Sequence, residues 1–170
     1  MKNLVYVVLA VLVLTSCQQQ KIGFIDNGKV INEYQEKKDI EEKYKVRDEA
    51  FKKRTDSIGQ AFQMEVQAFQ AKAGKMSQKK AQEAYEGLMQ KQQTLQQQIQ
   101  IEQQQITKAF QIEIDSTIIK VKDFVKDYGK TNGYTYILGT SDAAASVLYG
   151  TEENDLSQTI IDALNTEYKM

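Results

Sequence analysis

Few residues in this 170-residue chain can do chemistry. It has no His and a single Cys, Cys17. It therefore lacks the ligands of a zinc site and any Cys–His or Ser–His couple. Carboxylates are plentiful, but they fall on what read as solvated helix faces rather than in pairs around a pocket. No catalysis, metal or cofactor is expected. What remains is binding chemistry, from one thiol and a cluster of amines. The amines are Lys72, Lys75, Lys79 and Lys80, grouped around Gly74 with no acid until Glu83. From Ala71 to Lys91 there are five Lys and two Glu. The whole chain is nearly balanced, with 22 basic and 23 acidic residues and a net charge of −1. A nucleic-acid partner would call for a strongly basic balance. The lysine cluster is thus a local feature, suited either to guiding acidic partners or to solubilising an exposed turn.

The thiol has a specific context. Lys2 is followed by the apolar run Leu4 to Leu14, too short for a comfortable membrane span, and then by Leu14-Thr15-Ser16-Cys17. An apolar residue, two small residues and Cys resemble the bacterial lipobox, cleaved just before the Cys. Residues 1–16 then read as a lipoprotein signal peptide, Cys17 as the lipid-carrying N-terminus and residues 17–20 as its tether. Multiple acyl chains exceed what stable anchoring requires. The alternative is an ordinary signal peptide with an incidental Cys. Gln18-Gln19-Gln20 contains no acidic export signal, which favours the periplasm and the inner leaflet of the outer membrane.

The element that must present the amines runs from about Glu33 to Asn132, without Pro and almost without Gly. It reads as two long helices folded back at Ala73-Gly74-Lys75-Met76-Ser77. In the first arm Ile40, Phe51, Phe62 and Ala73 recur every eleven residues, with Ile58 and Phe69 repeating the step alongside. An eleven-residue repeat gives 3.67 residues per turn, a nearly straight seam. In the second arm Ala81, Tyr85, Leu88, Gln92, Leu95, Ile99, Glu102 and Ile106 form a heptad seam, which stutters through Phe110 and Ile114. Neither seam is satisfied alone, and a short turn makes the arms antiparallel partners. An arm of some forty residues is roughly 60 Å long, so the hairpin is expected to project. Gly74 suits the position after the first arm and Ser77 can cap the second. Gly59 and Gly87 each cost about 1 kcal/mol in a helix interior and could soften the arms. The Gln run from Gln90 to Gln105 reads as a solvated helix face.

The ends of the chain read as a small body, residues 21–34 and 133–170, around the hairpin of residues 35–132. Lys21 to Asp26 is an apolar strand; Asn27-Gly28 turns the chain, with Asn27 a possible cap for a short helix through Tyr34. Tyr134 to Gly139 and Ser146 to Gly150 read as two more strands. Ser157 is expected to cap a last helix carrying Ile160, Ile161 and Leu164. A body of about fifty residues has little core, and oligomerisation is the usual remedy.

These ends carry a resemblance. Lys21-Ile22-Gly23-Phe24-Ile25-Asp26 followed by Val30-Ile31-Asn32-Glu33-Tyr34, with Asn132-Gly133-Tyr134, Val147-Leu148-Tyr149, Asp155-Leu156-Ser157 and Ala163-Leu164-Asn165, resembles the Skp/OmpH family of periplasmic chaperones. The arms match in character only. The resemblance implies an α+β fold in one domain, residues 21–170: a long antiparallel coiled-coil hairpin projecting from a small β body, assembled as a trimer. It implies an ATP-independent holdase that binds unfolded outer-membrane proteins in a cavity between helical arms. Ile22, Phe24, Tyr136, Ile137, Leu138, Val147 and Leu148 would build the trimer body, and Lys72, Lys75, Lys79 and Lys80 would meet clients. Familiar members are soluble and strongly basic; this chain departs on both counts. The competing reading is a lipid-anchored spacer or adaptor in the envelope.

Overall fold

The computed structural model describes residues 20–141 and 144–169. Residues 1–16, read above as a signal peptide, and Cys17, Gln18 and Gln19 lie outside the described residues. Chain order is β1 (Ile22–Asp26), α1 (Asn27–Glu33), α2 (Gln35–Ala73), α3 (Gln78–Thr131), β2 (Tyr136–Thr140), a 3-10 turn (Glu152–Asn154) and α4 (Ser157–Tyr168). Two compact units result, residues 35–118 and the remainder.

In the hairpin unit, every apolar residue of the eleven-residue repeat is at least half-buried: Ile40, Phe51, Ile58, Phe62, Phe69 and Ala73. Thr55 and Val66 fill the steps between them. On α3 the half-buried positions are Ala81, Ala84, Leu88, Gln92, Leu95, Ile99 and Glu102, leading to buried Ile106. Tyr85, expected in this seam, is 51% exposed, and the small Ala84 takes the inward position. Ile40, Tyr44 and Ile106 form a buried cluster with Phe51, Ala109, Phe110 and Ile114 against it. From residue 45 to residue 105 no side chain is fully buried.

The two arms are also tied electrostatically. Lys43 Nζ lies 2.7 and 2.9 Å from the Glu113 oxygens, Arg54 pairs with Glu102, and Lys91 Nζ lies 2.5 and 2.6 Å from those of Glu65. On α2 these partners step by eleven residues, and on α3 they step back by eleven. The charge pairs therefore share the period of the apolar seam. Each is half-exposed and individually weak, but together they disfavour slipped registers.

At the turn, Lys75 N–H donates to Lys72 O and Met76 N–H to Ala73 O, at 3.0 and 3.1 Å. These i→i+3 bonds end α2 without a left-handed residue, so Gly74 does not supply the positive φ expected of it. Ser77 does cap α3, its Oγ accepting from Lys80 N–H at 3.5 Å. Positive φ occurs instead at Gly133, +70°. There Tyr134 N–H reaches Gly129 O at 2.9 Å and Gly133 N–H reaches Lys130 O at 3.4 Å. That is the paired-bond helix stop in which glycine avoids a Cβ clash, and it ends the second arm at Asn132-Gly133 as expected.

In the body unit β1 and β2 pair in parallel, Ile22 opposite Tyr136 through Asp26 opposite Thr140. Parallel pairing needs a long crossover, which the intervening helices supply. Residues alternate between faces. One face brings Ile25 and Ile137 onto a core of Val30, Tyr34, Val121, Leu156, Ile160, Ile161 and Leu164. Gly23 is required on this face, since a Cβ there would stand 2.5 Å from Leu156 Cδ1. The cap of α1 is Asp26, whose Oδ1 accepts from Lys29 N–H at 2.9 Å, and not Asn27. Ser157 is inside α4 rather than its cap; its Oγ accepts from Asp26 N–H at 2.9 Å and donates to Asp155 Oδ1 at 2.5 Å. It ties the last helix to the end of β1. Residues 146–150 form no strand. Their β-forming side chains have no neighbouring edge within one chain, and Leu148 and Tyr149 are 91% and 86% exposed.

Candidate functional surfaces

The four turn lysines are where the spacing places them. Lys72 is in the last turn of α2, Lys75 is in the turn, and Lys79 and Lys80 stand in the first turn of α3; all are exposed. Lys72 suits the negative end of its helix dipole. Lys79 and Lys80 oppose theirs, because the N-terminal end of a helix favours acids. Helix stability therefore does not account for that pair.

The hairpin also displays exposed apolar side chains, of which only Tyr85 was expected in a seam. Val46, Met64, Tyr85, Met89, Ile101 and Ile112 are 39–64% exposed. On a helix, positions eleven or eighteen apart share a face: Ile101 and Ile112 fall together on α3, as do Val46 and Met64 on α2. For all of these but Tyr85, the signal was present in the sequence as apolar residues out of phase with both seams. Met side chains adapt to irregular partners. Near the buried cluster, Tyr44, Ile106 and Phe110 line a groove of about 530 Å³ edged by Glu41, Lys45, Asp48 and Glu49.

One polar knot sits in this unit. Glu113 accepts from Lys43 and, at 2.8 Å, from the hydroxyl of buried Tyr44. The bonds from Lys43 and then Tyr44 hold the Glu113 carboxyl below its ordinary pKa. Glu113 in turn raises Lys43. Tyr44 is raised first by burial and then by its bond to Glu113. The arrangement stabilises the charged pair and offers no group poised near neutral pH for proton transfer.

In the body, the sheet face opposite the core is apolar. Ile22, Tyr136 and Leu138 are 42%, 57% and 41% exposed, beside half-buried Phe24. Of the seven residues expected to build an assembly surface, Ile22, Phe24, Tyr136 and Leu138 share this face. Val147 and Leu148 lie in the adjoining loop segment. Ile137 differs: it packs on the core side. Cys17 lies outside the described residues. Among the described residues no helix is long and apolar enough to cross a membrane.

The family model for outer membrane protein, OmpH-like, matches residues 21–164. The chain belongs to the OmpH-like family. Its fold is that of a solved structure from Caulobacter crescentus, a candidate OmpH-like outer membrane chaperone. The two agree with a TM-score of 0.76 over 87% of this chain and 85% of that one, at 13% identity. No curated protein sequence matches significantly. Long helices, a short turn and a two-stranded sheet are thus the OmpH-like fold, retained here although few side chains are shared. At that identity the exposed apolar side chains and the turn lysines are features to be read from this chain itself.

Proposed function

We propose that this OmpH-like protein is an ATP-independent periplasmic holdase that keeps unfolded outer-membrane proteins from aggregating. The observation that carries the reading is the hairpin's surface: long arms with a half-buried seam that leave Val46, Met64, Tyr85, Met89, Ile101 and Ile112 open to solvent. Scattered apolar contacts of this kind bind many sequences weakly, as a chaperone without a fixed client must. Three copies would join through the exposed sheet face of Ile22, Phe24, Tyr136 and Leu138, with Val147 and Leu148 pairing across subunits. Clients would then sit between the arms. A lipid on Cys17 would hold the assembly at the inner leaflet of the outer membrane, and Lys72, Lys75, Lys79 and Lys80 would draw in acidic clients.

The test is aggregation of an urea-unfolded outer-membrane barrel on dilution, followed by light scattering. Residues 18–170 should suppress it without nucleotide, and replacing Ile101 and Ile112 with Ser should weaken suppression. A protein that leaves aggregation unchanged would support the other reading, a lipid-anchored spacer or adaptor. That reading draws on the regular cross-arm ion pairs, which suit a stiff rod equally well.

A further inference from the structure

We infer that the acid-rimmed groove of the hairpin is a docking site for the basic turn of a second copy of this chain. Two hairpins would lie antiparallel, each turn seated in the other's groove. The groove has an apolar floor. Tyr44 and Phe110 meet there edge to face with ring centroids 5.3 Å apart, and buried Ile106 lies beside them. Its volume of about 530 Å³ falls within the roughly 300–1,000 Å³ usual for sites that seat a ligand group. The rim holds three carboxylates, Glu41, Asp48 and Glu49, against one amine, Lys45. Lys45 stands 3.3 Å from Glu42, and Glu41 accepts from Lys37 at 2.5 Å. Asp48 and Glu49 are exposed and, among the described residues, have no ion-pair partner. Two uncompensated carboxylates over an apolar floor suit an apolar side chain set among cations.

The hairpin turn has that chemistry. Met76 is 36% exposed, and Lys72, Lys75, Lys79 and Lys80 flank it in sequence. Among the described residues none of the four lysines has an ion-pair partner. Lys79 and Lys80 stand against the dipole of α3, so carboxylates from outside relieve them. A thioether adapts to irregular gaps and is favourable against aromatic edges. Lys45 and Lys72 lie 27 residues apart on α2, about 40 Å along its axis. That length of helix keeps a turn from reaching its own groove. Two hairpins overlapped antiparallel by the same length bring both turns to both grooves at once. The two contacts are equivalent by two-fold symmetry, so the pairing closes at two and does not run on into fibres. It needs neither a client nor a trimer and so stands apart from the holdase reading. It does occupy the lysines assigned above to acidic clients, so pairing and capture compete.

The experiment measures the mass of residues 18–170 by light scattering at about 0.01 M and about 1 M salt, where the Debye length falls from about 30 Å to about 3 Å. The mass at low salt should be twice that at high salt, whether the high-salt particle holds one chain or three. Failure of the trimer is read from the high-salt mass, and failure of the docking from the ratio. Lys75→Glu with Lys79→Glu, and Asp48→Lys with Glu49→Lys, should each weaken the doubling more than about tenfold, because like charges then face each other. Mixing the two variants should restore it, since the reversed turn of one meets the reversed rim of the other. Lys122→Glu with Lys126→Glu changes the net charge as much as the turn variant does, but outside both patches, and should leave the ratio intact. Circular dichroism checks that each variant keeps its helices. Should one fail to fold, crosslinking decides the same point, because residues 18–170 contain no cysteine. A short bismaleimide should join Met76→Cys to Thr107→Cys in a low-salt mixture, and should not join Met76→Cys to Gln97→Cys. A mass that does not change with salt, equal loss in the Lys122 and Lys126 variant, or a mixture of folded reversed variants that stays undoubled would overturn the inference.

Discussion

At the scale of single residues, the positions that matter most are small. Gly23 admits Leu156 against β1 where a Cβ would collide at 2.5 Å. Leu156 is buried and cannot swing away freely. Gly23→Ala should therefore cost about 1–3 kcal/mol, the range for overpacking, read as a lowered urea midpoint at constant slope. Ser157 occupies a polar junction between β1 and α4. Ser157→Ala strands the Asp26 N–H and should cost about 1–3 kcal/mol. Sequence reasoning recognised Ser157 as important but gave it the wrong task. A capping bond is local and can be read from neighbours, whereas a bond to Asp26, 131 residues away, depends on the assembled body. Asp26 holds the cap expected of Asn27 for a simpler reason: both side chains can cap, and the boundary shifted by one residue. Cys17 carries its own prediction. A fatty-acid probe should label the wild-type protein in cells and leave Cys17→Ala unlabelled, and equal labelling would remove the anchor from the proposal.

At the scale of elements, the long helices were legible because their period is repeated many times. Eleven-residue steps of Ile and Phe cannot arise from a strand, and Ser77 marks where the second arm begins. The segment 146–150 was misread because β propensity reports fitness for a sheet and not the presence of a partner. Apart from Tyr85, the exposed apolar residues were missed because a search for seams discards whatever is out of phase. Ion pairs with the same period as the apolar seam were visible as residue types, but only the folded register joins Arg54 to Glu102. Two predictions belong here. A Cβ at Gly59 or Gly87 would meet nothing within 4 Å, so changing both to Ala should stabilise the hairpin by about 1 kcal/mol each. If arm softness widens the range of clients, the same variant should hold large and small barrels less evenly. The Glu113 knot sets the pH response. Its carboxyl is held below the ordinary value of 4.5, so its contribution is present above that value and is lost as pH falls through the lowered one. Lys43 and Tyr44 are raised above 10.5 and 10.0, so theirs are present below those values and are lost as pH rises through the raised ones. Melting temperature against pH should be flat near neutrality, and Glu113→Gln should blunt the acid limb most.

At the scale of the whole molecule, the sheet separates two kinds of apolar residue that look alike in sequence. Ile137 packs on the chain's own core, while Tyr136 and Leu138 point to solvent from the neighbouring positions of the same strand. If three copies join through that outer face, a charge on it and a charge one residue away must fail differently. Leu138→Asp burdens only the interface: a buried, unpaired carboxylate is expensive, and the subunit escapes the cost by leaving the trimer. Ile137→Asp puts the same group into the core, where dissociation brings no relief, and the body should unfold. Light scattering with far-ultraviolet circular dichroism on residues 18–170 separates the cases. The wild type should have the mass of three chains, Leu138→Asp should be a folded monomer, and Ile137→Asp should lose helix signal and melt early. A wild type that is a folded monomer at micromolar concentration would reject the trimer and with it the enclosed client space. The holdase activity would then have to reside in single hairpins.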